Sequence, residues 1–176
     1  MARQQKPEAL EVCVPVAPSK SLFERVAAFL DANEWNYSAF QEKNYFSTGA
    51  RLRDSTVRII VDVAEEENWD RVLVYSIYPT YVPEHRRTAM LQAINRINYT
   101  LAFGSLEMDA KDGELRVRTV MEGIADLGEA KIDRAINGNL RTTNRFQAAL
   151  LAVAFGNASA DAVIELAERS EEATLQ

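Results

Sequence analysis

Three clusters in this sequence carry side chains of the types that do chemistry. His85, Arg86 and Arg87 set an imidazole beside two guanidiniums, groups that accept a proton or grip a phosphate or carboxylate through bidentate contacts. Asp109, Asp112 and Glu114 gather three carboxylates in one short stretch, as a calcium loop does, and the run Glu65, Glu66, Glu67 offers hard oxygen ligands to a cation. Each has a plainer reading that its spacing favours. His85 is the only histidine, falls in the first turn of a helix and has no evident partner within hydrogen-bond reach, so the cluster reads as a solvated helix face. The second carboxylate set departs from the Asp-x-Asp-x-Asp-Gly pattern and reads as a hairpin turn. Adjacent glutamates do not converge on one ion, so the third set reads as a solvated hairpin loop.

Other chemistry lacks its parts. Cys13 is the only cysteine, which excludes an internal disulfide and leaves a thiolate metal site short of ligands. Ser105 follows Gly104 but lacks the Gly-x-Ser-x-Gly elbow of a serine nucleophile. Neither Gly-x-Gly-x-x-Gly nor a phosphate loop ending in Gly-Lys-Ser/Thr occurs. The expectation is a protein that is not an enzyme, with no catalytic residue, no metal and no cofactor.

The chain has 176 residues, 47% of them hydrophobic, enough for the core of one domain. A net charge of -6 argues against nucleic acid and against anionic lipid as partners. Residues 1–6 are polar and no apolar run long enough for a signal peptide or a membrane span follows, so a cytoplasmic protein without a membrane partner is expected. The strings at Asn36, Asn98 and Asn157 fit Asn-x-Ser/Thr and are read as coincidences of composition.

The elements that must position any site follow from periodicity. Residues 1–18, with Pro7, Pro15 and Pro18, read as a tail in which residues 10–16 are a candidate extended segment for a sheet edge. Ser21 and Glu24 form a capping box, and Leu22, Val26, Phe29 and Leu30 predict a helix to about Asn33. Three strands follow: residues 37–41 continuing past Tyr45 to Arg53, then 57–63, then 72–78. In the last, Val72 and Val74 share one face while Leu73, Tyr75 and Ile77 share the other, so the strand is apolar on both sides and something must cover the second face. Pro83 opens a second helix carrying Met90, Ile94, Ile97 and Leu101, with Asn95 and Asn98 on or beside its apolar stripe as structural devices that bond strand backbone.

After Gly104, two alternating runs flank Asp112-Gly113, and a four-residue loop pairing Asp109 with Glu114 sets Met108 opposite Leu115, Leu106 opposite Val117 and Glu107 opposite Arg116. Asp126 with Glu129 starts a long helix interrupted at Asn137, Gly138 and Asn139, and Ser159 starts a short one before a charged tail. The order α-β-β-β-α-β-β-α-α predicts an α+β domain over residues 19–156, an antiparallel sheet with helices packed on it, and a C-terminal helix and charged tail over 157–176.

The string Ile94-Asn95-Arg96-Ile97-Asn98, then Leu101, then Phe103-Gly104-Ser105-Leu106-Glu107-Met108-Asp109 and Asp112-Gly113, resembles the signature of the YbjN family of bacterial proteins. The resemblance implies a fold similar to type III secretion chaperones, a curved antiparallel sheet with helices packed on it, commonly a homodimer. Such chaperones hold extended segments of a client protein on apolar sheet and helix surface, and the family is described loosely as regulating sensory transduction, stress and motility. The N-terminal tail and the helix after Gly156 depart from the family pattern, and either would be placed to cover a client surface. The expected function is therefore chaperone-like or regulatory protein binding through Leu73, Tyr75 and Ile77. The alternatives are a homodimeric assembly factor, and a small-molecule sensor with a pocket between sheet and helix.

Overall fold

A computed structural model describes residues 20–53, 55–66, 69–123 and 127–172. The extended segment expected at residues 10–16, Cys13, Glu67 and the helix start at Asp126 lie outside these. The chain enters α1 (Leu22–Ala32) through the capping box: Ser21 Oγ accepts the Glu24 N–H at 3.2 Å and Glu24 Oε2 accepts the Ser21 N–H at 2.8 Å. A third partner arrives from far along the chain, for Glu65 Oε2 accepts the Leu22 N–H at 2.9 Å. Glu65 and Glu66 are therefore not loop residues. They end a strand, paired with Asp70 and Trp69, and Glu65 places its negative charge at the positive end of α1.

Four strands, not three, precede the second helix. They are β1 (Tyr37–Phe40), β2 (Tyr45–Arg51), β3 (Thr56–Glu66) and β4 (Trp69–Tyr81). The run expected as one strand from Tyr37 folds back on itself through a 3-10 turn, Gln41–Lys43, and through Asn44 in the left-handed region at φ 51°. Asparagine tolerates that conformation better than most residues, but nothing in the alternation on either side announces the reversal. Pro83 caps another 3-10 turn, Glu84–Arg86, and α2 (Arg87–Thr100) begins only after it. The hairpin of β5 (Ser105–Met108) and β6 (Glu114–Gly123) has the expected register, with Asp109 and Glu114 joined by the Asp109 N–H donating to the Glu114 carbonyl at 2.9 Å. The sheet is antiparallel throughout in the order β1-β2-β3-β4-β6-β5.

α3 (Glu129–Phe155) is one continuous helix, contrary to the interruption expected at Asn137-Gly138-Asn139. Each of the three residues has a tertiary or helical use that outweighs its poor helix propensity. Asn137 donates to Asp133 one turn back at 2.7 Å, and Gly138 lets the Phe103 ring lie where a Cβ would stand 3.1 Å from its edge. Asn139, fully buried, spreads its amide over the Val117 carbonyl (3.0 Å), the Val74 carbonyl (3.1 Å) and Thr119 Oγ1 (3.1 Å), clipping the helix to β4 and β6. Tyr78 extends the clip by donating to the Thr143 carbonyl at 2.8 Å.

Alternation puts Phe46, Val57, Ile59, Val61, Val72, Val74 and Val117 on one face of the sheet, buried under Leu22, Val26 and Leu30 of α1, Met90 and Ile97 of α2, and Ile132, Ile136 and Phe146 of α3. Each such side chain contributes about 1.5–3 kcal/mol by leaving water. A 3-10 turn, Ala160–Ala162, leads into α4 (Val163–Glu172), which buries Val163 and Ala167 against α3 and α2. The C-terminal helix thus lies on the helical side and leaves the other face of the sheet alone.

Candidate functional site

The second face of the sheet has no described element over it. Its centre is the β4 row Leu73, Tyr75 and Ile77, each partly exposed, and the registers fix the neighbours. Leu73 stands between Asp62 and Val120, Tyr75 between Ile60 and Arg118, and Ile77 between Arg58 and Arg116. Across β2, Tyr45 lies opposite Asp62 and Ser47 opposite Ile60, and Phe40 of β1 stacks on Tyr45 with ring centroids 4.5 Å apart. The result is an open groove of about 690 Å³ in which Phe40, Tyr45, Ile60, Leu73, Tyr75 and Ile77 alternate with Ser47, Arg58, Asp62, Glu114 and Arg116.

The groove charges are largely committed. Glu107 accepts from Arg116 Nε at 2.9 Å and from Arg118 Nε at 2.8 Å, and the Arg116 guanidinium sits 4.6 Å from the centre of the Tyr75 ring. Arg71 pairs with Asp62 at 3.2 Å. Arg58, exposed beside Ile77, has no ion-pair partner among the described residues. Aliphatic and aromatic side chains interleaved with charged ones suit an extended apolar segment, whose alternate side chains meet the apolar residues while its backbone stays near polar groups.

The basic cluster at residues 85–87 and the carboxylates at residues 109–114 have other employment. Arg86 donates to the carbonyls of Val153 at 2.8 Å and Ala158 at 2.9 Å, tying α2 to the end of α3. Arg87 donates to the carbonyls of Ala110, Lys111 and Asp112 at 3.2, 3.2 and 3.0 Å, holding the tip of the β5–β6 hairpin. Neither arginine is the solvated helix face expected of it, since each is spent on main-chain carbonyls of another part of the fold. His85 is exposed. In the carboxylate cluster Asp109 accepts the Lys111 N–H at 2.8 Å and Asp112 the Glu114 N–H at 2.9 Å, the work of a turn.

Asn98 accepts the Leu106 N–H at 2.8 Å and donates to the Leu106 carbonyl at 3.0 Å, bridging the end of α2 to β5. Asn95 instead points outward beside Leu91 and Arg96. Gly104 and Gly113 have φ of 79° and 88°, and a Cβ on Gly113 would stand 2.4 Å from the Val82 carbonyl. Arg25 and Asp70 form a buried pair at 2.7 Å beneath the β3–β4 hairpin, a contact that neither periodicity nor a local motif signals. Two tyrosines titrate high: burial pushes the Tyr78 phenol far above its ordinary value, and donation to Asp31 at 2.8 Å raises that of Tyr37.

A six-stranded antiparallel sheet with helices on one face and an open groove on the other defines an α+β protein. The YbjN family, described as "Putative bacterial sensory transduction regulator", matches residues 22–152, and the chain belongs to it. Among solved structures it is similar to the crystal structure of YbjN, a putative transcription regulator from E. coli, with 8% identity and a TM-score of 0.51 over 73% of this chain and 89% of that one. No curated protein matches the chain. The family match leaves residues 1–21 and 153–176 outside it. Among the described residues no helix is long and apolar enough to cross a membrane.

Proposed function

We propose that this chain is a non-enzymatic, cytoplasmic protein-binding domain, chaperone-like or regulatory, that holds an extended segment of a client protein in the groove over Leu73, Tyr75 and Ile77. One observation carries the reading: the central strand of the sheet is apolar on both faces, and among the described residues only one of those faces is covered. An uncovered apolar strip in the middle of a sheet is a cost to a solitary domain unless something occupies it.

The test is binding of a permanently unfolded polypeptide to the purified chain, compared with a Tyr75→Glu, Ile77→Lys variant whose circular dichroism matches the parent. Loss of at least tenfold in affinity, about 1.4 kcal/mol, supports the reading. Equal binding by the two proteins removes the groove as the client site. A pull-down with the same pair then names the partner.

Self-assembly is the second reading, favoured by the outer side of α2, where Leu91 and Tyr99 stand 47% and 92% exposed. Light scattering on the parent and on Leu91→Glu, Tyr99→Glu separates a homodimer built there from a monomer.

A further inference from the structure

We infer that the segment held over Leu73, Tyr75 and Ile77 is an acidic one, an extended stretch of alternating apolar and polar residues with a carboxylate side chain at the Ile77 end, beside Arg58. The inference rests on the reading of the groove as a site for extended chain and names the chemistry of the chain that fits it.

Charge carries it. The whole sequence has a net charge of -6, yet arginine gathers around the second half of the β4 row. Ile77 stands between Arg58 and Arg116, and Tyr75 has Arg118 as its neighbour on β6. Glu107 serves both β6 arginines, taking Arg116 Nε at 2.9 Å on one carboxylate oxygen and Arg118 Nε at 2.8 Å on the other. Arg58 has no ion-pair partner among the described residues. The groove-lining carboxylate to set against it is Glu114, which lies opposite Tyr81, past the break in register that follows Ile77, and so one step beyond Arg116 on β6. Three arginines against two carboxylates leave one positive charge over at this end. At the other end Asp62, opposite Leu73, is matched by Arg71 at 3.2 Å.

Strand geometry turns that surplus into a position. Side chains on one face of an extended segment recur about every 6.6–6.8 Å, the spacing of Leu73, Tyr75 and Ile77 themselves. A segment lying along β4 with apolar side chains over Leu73 and Tyr75 therefore brings its next side chain on that face to Ile77, between Arg58 and Arg116. Arg116 is already held by Glu107 and by the Tyr75 ring, 4.6 Å from its guanidinium, which leaves Arg58 to turn its paired N–H donors to a carboxylate. A lysine at the same place would meet like charge, so the groove selects by repulsion as well as by attraction.

The test uses the full-length chain and two peptides with blocked ends, Ser-Leu-Thr-Val-Thr-Glu-Ser and the same peptide with lysine in place of glutamate, with binding read from the Ile60 and Ile77 methyl signals in an NMR titration. The glutamate peptide should bind about fivefold more tightly or better. Arg58→Glu, checked for a parent-like melt, should reverse the order, and Arg58→Gln, which adds no charge, should level the two affinities. Equal affinities in the parent, or a glutamate preference that survives in both variants, overturn the inference; if Tyr75→Glu, Ile77→Lys then abolishes binding of both peptides, the groove reading stands without it. Methyl signals unmoved by either peptide overturn the inference and the groove reading together. A parent that is dimeric by light scattering and monomeric as Arg58→Glu also overturns the inference, because the groove then belongs to a second copy.

Discussion

The side-chain amide of Asn139, in the middle of α3, donates to the main-chain carbonyl of Val117 in β6 at 3.0 Å, and both residues are fully buried. One polar side chain thereby fixes the longest helix on the sheet at the height of Val74 and Thr119. Removing it leaves buried acceptors without their donor and opens a void, so Asn139→Ala should cost about 2–4 kcal/mol in urea unfolding. Because Thr119 Oγ1 shares the same amide at 3.1 Å, Thr119→Val should cost less in the Asn139→Ala background than alone, with a coupling of about 0.5–1 kcal/mol. Additive costs would show that the amide is not what joins them.

Asp70 and Arg25 give a contrast between buried and exposed charge. Their side chains are 5% and 14% exposed and meet at 2.7 Å, and Arg25 also donates to the Leu127 carbonyl at 3.1 Å. Asp70→Ala removes the carboxylate that faces the Arg25 guanidinium in a poorly solvated site and should destabilise by about 2–4 kcal/mol, nearly unchanged by 0.5 M salt as a further condition. Arg96→Ala, which breaks the exposed pair with Asp161, should cost at most about 1 kcal/mol.

Much of this architecture is legible in the sequence, and the parts that are not share a cause. The capping box at Ser21, the β5–β6 register and the two-sided strand of Leu73, Tyr75 and Ile77 rest on neighbours a few residues apart or on strict alternation, and local physics decides them. Asn139, Arg86, Arg87 and Glu65 behave otherwise. Asn-Gly-Asn reads as a break because its propensities are poor, yet the acceptors that hold Asn139 in a helix come from residues 74, 117 and 119. Glu65 looks like loop charge until Leu22 is folded beside it. A residue whose partner lies tens of positions away carries no local mark of it.

Gly113→Ala tests the turn of the β5–β6 hairpin. The new Cβ would sit 2.4 Å from the Val82 carbonyl oxygen, with φ at 88°, and main chain cannot swing aside as a long side chain does. A loss of about 2–4 kcal/mol is expected by thermal or urea unfolding. Gly49→Ala, whose Cβ would be 3.5 Å from the Val57 carbonyl in ordinary contact, should change stability by less than about 1 kcal/mol.

Tyr78 sets an alkaline limit. Burial raises its folded pKa above the ordinary 10.0, so above that pH the unfolded chain has released a proton that the folded chain keeps. The stability this contributes is whole below about pH 10 and declines as pH climbs toward the folded value. Tyr37 acts in the same direction through Asp31. Tyr78→Phe should lose about 1 kcal/mol at pH 7 with the hydrogen bond to Thr143, and its stability should fall less steeply than the parent's between pH 10 and 11. Parallel alkaline limbs would mean that other groups govern the decline.

The two faces of β4 predict opposite outcomes for neighbouring substitutions. Tyr75 and Ile77 look onto the open groove, so Tyr75→Glu with Ile77→Lys should leave the fold in place, at a cost of about 1–2 kcal/mol that includes the lost contact between the Tyr75 ring and Arg116. Val74, one position from Tyr75 and wholly buried under α3, admits no such change: Val74→Glu puts a carboxylate in the core without a partner and should cost more than about 4 kcal/mol, enough to unfold most small domains. Circular dichroism melts of the two variants read the difference. If Tyr75→Glu, Ile77→Lys unfolds as readily as Val74→Glu, something in the free chain buries the groove as tightly as a core.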